Sequence, residues 1–435
     1  MKILVPISYG SELRQFFHSG LVEKLIAKGH EVFTIIKNEE SGIMDEIPPQ
    51  VTFLQYPTDN HLGIFFNALH TGLNKSNHSS FQFDPIPIKK GLKGFFYNAV
   101  VNLIAFLGKF SKFRYVLKVL ETQLVRSQKK SEWIQLLNRN SIETVVLNVP
   151  NSHLACLSSA KRLKIKRLLI FHTHKDLQVI DRIIIPYDGY GVWNQNMKNH
   201  LIEKLEITSE IIQITGNLHL SFLMKNALTS EPSDSKKPKF LYICGALNIS
   251  NEEIILQKII ALLNQVFHGD FHLTVRKNPM EIRDIWEKYQ STQVQVVTPK
   301  WYYNMKNNYN FARKNDLSEF KQQLDDADAI IGFPSSVILE ANLMGKDFIN
   351  LLIDEKDVLI TNSQSSPSKL WENELYRQIK IHQACINIYH FDDLIEKLKD
   401  YPQKKRTYNI AYLKDEIGIV YFDDLIEKNI NLIIG

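Results

Sequence analysis

The stretch from Asp316 to Asp354, DLSEFKQQLDDADAIIGFPSSVILEANLMGKDFINLLID, constrains the fold more than any other. Its pattern predicts a helix, a short apolar strand at Ala329-Ile330-Ile331 and a tight turn, Gly332-Phe333-Pro334-Ser335-Ser336. A second helix then runs to Gly345, and a second strand follows. A strand that reaches its neighbour through a helix is the unit of a parallel sheet, because parallel strands need a crossover. The turn also carries chemistry. Free backbone N–H groups at the helix start, the hydroxyls of Ser335 and Ser336 and the helix dipole favour an anion such as phosphate. Glu340, about one turn further in, can accept two hydroxyl hydrogen bonds of the kind a ribose diol offers.

The same alternation opens the chain. Residues 3–7 read as a strand and Gly29 as a helix stop before the strand Glu31 to Ile36. Between them Glu12 to Lys28 reads as one amphipathic helix burying Leu13, Phe16, Phe17, Leu21, Leu25 and Ile26. Further strands are expected at Val51–Tyr56, Glu143–Leu147, Arg167–Phe171 and Ile211–Ile214, with helices over Ser152–Arg162 and Met197–Leu205. Residues 226–238 are polar and rich in serine and proline, and read as a linker. A second series then starts with strand Phe240–Cys244, helix Asn251–Phe267, strand His272–Val275 and helix Glu281–Tyr289. At 435 residues the chain can bury two cores. The reading is α/β, with doubly wound domains over 1–225 and 239–401 and a final segment over 402–435. Phe-Asp-Asp-Leu-Ile-Glu-Lys occurs at 391–397 and again at 422–428. Two helices with aspartates at their starts account for it.

Asp326-Ala327-Asp328, Ser335-Ser336, Glu340-Ala341 and Gly345-Lys346 together resemble the nucleotide-binding half of GT-B glycosyltransferases, including enzymes of lipid-linked peptidoglycan and surface polysaccharide. Asp347 stands where that pattern has proline, and Gly332 where retaining members often carry a second glutamate. Leu25-Ile26-Ala27-Lys28-Gly29-His30-Glu31-Val32 is similar to the first βαβ unit of these enzymes, with His30 as a turn residue. Tyr190-Gly191-Val192-Trp193-Asn194 and Ile214-Thr215-Gly216-Asn217 resemble the run that closes their first domain, where Gly216 would adopt a conformation other residues resist. The resemblance implies two Rossmann-like doubly wound parallel-sheet domains facing a central cleft, with residues 402–435 crossing back to the first. It implies a cytoplasmic glycosyltransferase that moves a sugar from a nucleotide-activated donor to a glycan or lipid-linked acceptor in surface-polysaccharide synthesis. The nucleotide sugar is then a substrate, and no cofactor is expected. Two alternatives stay open: a sugar-nucleotide 2-epimerase, and a catalytically inactive GT-B module that binds a glycan or a membrane.

Inverting sugar transfer needs a base for the acceptor hydroxyl and a positive field on the leaving diphosphate. Relatives often place a histidine near the start of the first helix, where this chain has Arg14. An arginine suits phosphate and cannot act as the base. His18, on the same face of the expected helix, and Glu12 are the alternatives. Gly10 and Ser11 lie in the loop that approaches phosphates in the family. His172 and His174 end the expected strand at Phe171 and precede Asp176. They suit acid–base chemistry or hydrogen bonding to an acceptor, or a structural role. Arg276-Lys277-Asn278-Pro279 falls where relatives carry R-x-H-P. With Asn278 in place of histidine, Arg276 or Lys277 would supply the leaving-group charge, and the Gly245 loop a second approach to the diphosphate. No third ligand accompanies His172 and His174, and Asp326 and Asp328 precede their strand, so no metal is expected. The chain has no P-loop and no GxGxxG, which removes support for a kinase or dehydrogenase.

Residues 86–130 hold ten Lys/Arg and one acid, Glu121, interleaved with Phe95, Phe96, Tyr97, Phe106, Phe110, Phe113 and Tyr115. The apolar run Phe95–Leu107 is too short to span a bilayer. It suits helices lying on an anionic membrane surface, or core helices whose basic face is solvated. The overall charge of +5 is mild and no nucleic-acid module accompanies it. Three distant cysteines, Cys156, Cys244 and Cys385, suggest buried thiols in a reducing cytosol. Met1–Ile7 reads as a strand rather than a signal peptide. Location at the inner face of the plasma membrane, peripherally, is the corresponding expectation.

Overall fold

Seven short apolar strands build the first sheet: β1 (Lys2–Ile7), β2 (Glu31–Ile36), β3 (Thr52–Leu54), β4 (Thr144–Leu147), β5 (Lys166–Ile170), β6 (Gly189–Val192) and β7 (Ile212–Ile214). Their order is β3-β2-β1-β4-β5-β6-β7, and every neighbouring pair is parallel. β4 and β6 are buried at every residue, as a parallel sheet covered on both faces requires. The second sheet holds β8 (Lys239–Ile243), β9 (His272–Arg276) and β10 (Val294–Val297). Then come the antiparallel pair β11 (Trp301–Asn304) and β12 (Tyr309–Ala312), which stands apart, and β13 (Ala329–Gly332), β14 (Asp347–Leu351) and β15 (Ile386–Ile388). Its order is β10-β9-β8-β13-β14-β15, again parallel throughout. The computed structural model describes residues 1–7, 10–36, 41–57, 63–77, 92–128, 130–173, 176–177, 180, 182–224, 237–245, 251–281, 284–304, 309–354, 366–372, 376–399, 410–419 and 421–435.

Each sheet has its own core, one around Leu4, Val145, Leu169 and Tyr190, the other around Phe240, Leu273, Ile331 and Ile349. The chain divides accordingly into one unit of Met1–His219 with Ile417–Gly435, and another of Leu220–Glu416. Most of the expected linker, 226–236, lies outside the described residues, as do 402–409. The C-terminal helix Phe422–Ile434 packs within the first unit. Asn429 Nδ2, fully buried, donates to the Thr215 carbonyl at 2.9 Å. Gly189 and Gly191 of β6 make room for Leu432, since a Cβ there would lie 3.3 and 3.0 Å from its methyls. The two copies of Phe-Asp-Asp-Leu-Ile-Glu-Lys open separate helices, Phe391–Lys399 and Phe422–Ile434, one in each unit.

Two helices differ from expectation. Glu12–Lys28 is not continuous. A turn over Gly10–Glu12 leads into a π-helical turn, Leu13–Phe17, which closes with His18 N–H donating to Leu13 O at 2.8 Å. Gly20 then takes φ +85°, Leu21 N–H donates to the Ser19 hydroxyl at 3.2 Å, and a new helix runs Leu21–Ala27. Glycine and the serine cap interrupt a pattern whose apolar spacing alone reads as unbroken. Over Glu281–Tyr289 only Glu287–Tyr289 is helical, a single tight turn, among the described residues. Burial of Trp286 and the Lys277–Glu287 ion pair hold that segment against the sheet instead.

Between β3 and β4 the first unit carries three long helices, Ile64–Asn77, Leu92–Leu107 and Ser111–Ser127. The first two cross closely at Gly72, where a Cβ would lie 2.6 Å from Ile104 Cβ. Glu121, 1% exposed, ties the third to its surroundings through His70 Nδ1 at 2.7 Å and Arg182 Nε at 2.9 Å.

Candidate active site

Parallel sheets present their loops at the carboxyl edge, and ligands gather where successive crossovers diverge to opposite sides. In the second sheet that point lies between β8 and β13. Register sets Ile243 beside both Arg276 and Gly332, so the loops that start at Cys244, Lys277 and Phe333 leave from one row. Ser335 and Ser336 lead into the helix Val337–Leu343, with Ser336 at its cap. The Ser335 hydroxyl is buried and has no hydrogen-bond partner among the described residues. Glu340 is 5% exposed in the same helix. A buried hydroxyl lacking a partner is costly, and it is the kind of group a ligand satisfies.

Three other expected phosphate contacts are engaged within the unit. Arg276 Nη2 donates to Asp316 Oδ2 at 2.7 Å and Nη1 to Gln323 Oε1 at 3.0 Å, with the guanidinium 4.7 Å above the Phe320 ring. Its charge is neutralised by a carboxylate that also accepts from Trp301 Nε1 and Lys300 N–H. Lys277 Nζ lies 2.5 Å from Glu287 Oε1. The Gly245 N–H donates to Glu252 Oε1 at 2.7 Å, and Asn278 Nδ2 to the Gly245 carbonyl at 3.0 Å. Asn278 therefore anchors the Gly245 loop. Complete burial pushes the Glu252 carboxyl up to about 7, against the lowering effect of the Gly245 N–H and the Tyr242 hydroxyl bonded to it.

In the first sheet the divergence lies between β1 and β4. Gln15 and Asn148 lace the loops there. Gln15 Nε2 donates to the Ile170 carbonyl at 2.9 Å, and Asn148 Nδ2 donates to Gln15 Oε1 at 3.1 Å. Asn148 Nδ2 also reaches the Ser11 hydroxyl at 3.4 Å. This pinning holds Gly10, Ser11 and Glu12, which follow β1, beside His172, which follows β5. Glu12 is 1% exposed. His172 Nδ1 lies 2.9 Å from Asp176 Oδ2. Burial lowers the His172 pKa, but the Asp176 bond and charge, with the charge of Glu12 and a bond at the Asn148 backbone, outweigh it and raise the pKa above 6.5. Arg14 Nε donates to the His219 carbonyl at 3.1 Å. Burial, with the charges of Arg14 and His172, holds the His219 imidazole well below the usual histidine range, so it is neutral.

Glu12, Arg14, His172 and His219 thus form one cluster, with Asp176 behind His172. His18 does not join it. Its buried Nε2 lies 3.1 Å from Glu46 Oε2 instead. His174 lies outside the described residues. No three His, Cys, Asp or Glu side chains are grouped as metal ligands among the described residues. His219 was not singled out from sequence, although it follows the Ile214–Asn217 run by two residues. Gln15 and Asn148 carry no sequence signal, because their role depends on three loops meeting. A cavity of about 580 Å³ lies elsewhere on the second unit, among Lys239, His272 and Gln323, near the strand starts rather than the carboxyl edge.

No known sequence family and no curated protein matches the chain. Solved structures do. UDP-GlcNAc 2-epimerase from Neisseria meningitidis, bound to UDP-GlcNAc, is similar with a TM-score of 0.54 at 12% identity, over 99% of each chain. The epimerase from Methanocaldococcus jannaschii gives 0.54 at 13% identity, over 96% of this chain and 97% of that one. A glycosyltransferase from Rickettsia africae gives 0.51 at 12% identity, over 99% and 97%. The chain has the GT-B fold, with two Rossmann-like parallel-sheet domains.

Proposed function

We propose that this chain is a glycosyltransferase that uses a nucleotide-activated sugar and acts on a glycan or lipid-linked acceptor in the cytoplasm. The observation that carries the reading is the turn after β13. A buried, unpartnered Ser335 hydroxyl stands at the head of a short helix, with the buried carboxyl of Glu340 one turn on, at the point where the second sheet's crossovers diverge. Ser335 and Ser336 would receive the diphosphate and Glu340 the ribose. Arg276, Lys277 and Gly245 would shape that wall through the partners they already hold.

In the first unit, His172 is the base this reading favours. With the Nδ1 proton facing Asp176 Oδ2, 2.9 Å away, the lone pair would sit on Nε2. That nitrogen would take the acceptor hydroxyl proton as the oxygen bonds to the anomeric carbon and the nucleoside diphosphate leaves. Arg14 and neutral His219 would then hold acceptor or phosphate oxygens, with Gly10 leading into the loop. A second reading, a sugar-nucleotide 2-epimerase, rests on the likeness to the two epimerase structures.

Calorimetric titration of UDP, GDP, CDP and CMP tests the site. One nucleotide should bind the wild-type chain and bind Ser335→Ala and Glu340→Ala at least tenfold more weakly. If none binds, the nucleotide-sugar reading is wrong. Incubation with the matching nucleotide sugar and no acceptor then separates the two reactions. Inversion at sugar C2 marks an epimerase, and an intact donor that is consumed only when acceptor is added marks a transferase.

A further inference from the structure

The helix Leu92–Leu107 is apolar nearly all round yet covered on only one side. Tyr97, Val101, Ile104 and Ala105 are buried, at the spacing of one helical face. They pack toward the helix Ile64–Asn77, meeting Ala68, Leu69 and Leu73. The remaining face shows Phe95 at 71% exposure, Phe96 at 62% and Leu103 and Phe106 at 58% each. Helices without a polar face are normally buried on every side or placed in lipid. Next along the chain, Ser111–Ser127 exposes Phe113, Val116 and Leu120 on one face, with Tyr115 and Val119 exposed on another. The two faces meet at the intervening turn. Phe110 sits there, its ring 5.5 Å from Phe106 and 6.4 Å from Phe113, edge-on to both.

Charge identifies the occupant. Lys109 and Lys112 are exposed on either side of Phe110, and Arg126 is exposed further along. The one acid between residues 86 and 130, Glu121, is buried and held by His70 and Arg182, so it cannot offset them at the surface. An apolar surface of this extent marks an interaction site. A second copy of the same surface would bring like charges together. An anionic bilayer matches both properties, taking aromatic rings below the headgroups and ammonium groups among them. No described helix is long and apolar enough to cross a membrane, which suits a surface that lies on one.

We propose that the outer faces of helices 92–107 and 111–127, centred on the Phe106–Phe110–Phe113 turn, dock this protein on an anionic lipid surface. This deepens the lipid-linked-acceptor reading without depending on it.

Flotation of the full chain with vesicles tests it, using phosphatidylcholine alone and phosphatidylcholine mixed with phosphatidylglycerol, at low and high salt. Wild type should float with the mixed vesicles, and salt should weaken it. Two double variants probe the two contributions, Phe110→Ser with Phe113→Ser and Lys109→Glu with Lys112→Glu. The lysine pair should lower vesicle affinity by roughly 25-fold or more, since each basic side chain near the surface is worth about fivefold, and the phenylalanine pair by roughly tenfold or more through lost apolar burial. All four residues are exposed, and an unchanged melting temperature checks that the variants fold. Absence of flotation, or flotation equal in wild type and both variants, overturns the proposal. So does a wild-type dimer in light scattering that both variants convert to monomer, which would make a second copy the occupant. Nucleotide titration on the same samples reports separately, so loss of vesicle binding and failure of the nucleotide site are distinguishable.

Discussion

His172 Nδ1 lies 2.9 Å from Asp176 Oδ2, close enough for the carboxylate charge to bear directly on the imidazole. Burial alone would lower the His172 pKa. The hydrogen bond and charge of Asp176, with the charge of Glu12, reverse that and carry it above 6.5. A base works in its neutral form, so kcat/KM should fall as pH drops through a value above 6.5. Asp176→Asn removes the raising charge and leaves the burial. The acid limb of its pH profile should therefore move to lower pH, while the rate drops as the ring loses its orientation. His172→Gln should lower kcat by roughly 100-fold or more. An acid limb that stays in place in Asp176→Asn would assign the base elsewhere, with Glu12 next in line.

Most strands were legible because each depends on a local apolar run, whereas β6, β10, β15 and the β11–β12 pair were not read from sequence. Ala329-Ile330-Ile331 and Glu31–Ile36 are strands as their apolar character requires. The Ser-Ser turn and the helix after it also follow from adjacent residues. Gly216 does take a left-handed conformation, φ +77°. Side-chain partners were not legible, because they come from distant parts of the chain. Asp316, forty residues beyond Arg276, neutralises an arginine whose sequence position suggested phosphate. Gln15 meets Ile170 only because β1, β4 and β5 are neighbours. The π-helical turn was hidden for a different reason. It rests on an i to i+5 hydrogen bond, His18 N–H to Leu13 O, which the apolar spacing of so short a helix does not reveal.

Glu252 should make the second unit less stable as pH rises. Its folded pKa, about 7, exceeds the ordinary 4.5, so the folded chain holds a proton that the unfolded chain releases. That stabilisation is complete below about 4.5 and is lost as pH rises through 7, a change of roughly 3 kcal/mol for a group this deeply buried. Glu252→Gln keeps an oxygen for the Gly245 N–H and the Tyr242 hydroxyl without the ionisation. Its melting temperature should exceed wild type at pH 8 and match it at pH 5. Some slope should remain, because burial also lifts the Glu416 carboxyl to about 7. Parallel melting curves for the two proteins from pH 5 to 8 would show that Glu252 is ionised in the folded state throughout.

Glu121 should have the opposite dependence. Burial pushes its pKa up, but the hydrogen bonds and charges of His70 and Arg182 prevail and hold it below 4.5. Its contribution is then present above 4.5 and is lost as pH falls through the lower folded value. Glu121→Gln leaves Arg182 without a counter-charge beneath the helix Ser111–Ser127, at a cost of about 1–3 kcal/mol. Hydrogen exchange should rise first in helices 64–77 and 111–127, which Glu121 and His70 join, with the sheet amides still protected. Equal acceleration across the whole unit would mean that these helices have no separate opening.

Gly216 and Gly29 share a backbone conformation and differ in surroundings, so the pair separates strain from packing. Both have positive φ, +77° and +84°. An added Cβ at Gly29 meets nothing within 4 Å, whereas at Gly216 it falls 2.7 Å from Leu425 Cδ1 and 2.9 Å from Ile419 Cβ. Gly29→Ala should therefore cost only the left-handed backbone term, about 1–2 kcal/mol. Gly216→Ala adds an overlap with the returning C-terminal segment, about 1–3 kcal/mol more. Relief requires Leu425 and Ile419 to move away, which strains the Asn429 bond to Thr215 in the same helix. Urea unfolding should rank the two variants in that order. Limited proteolysis should release a fragment containing 422–434 earlier in Gly216→Ala than in Gly29→Ala. Equal costs would show that the C-terminal helix yields freely, and that its contact with β6 and the Thr215–Gly216 turn contributes little to holding the first unit together.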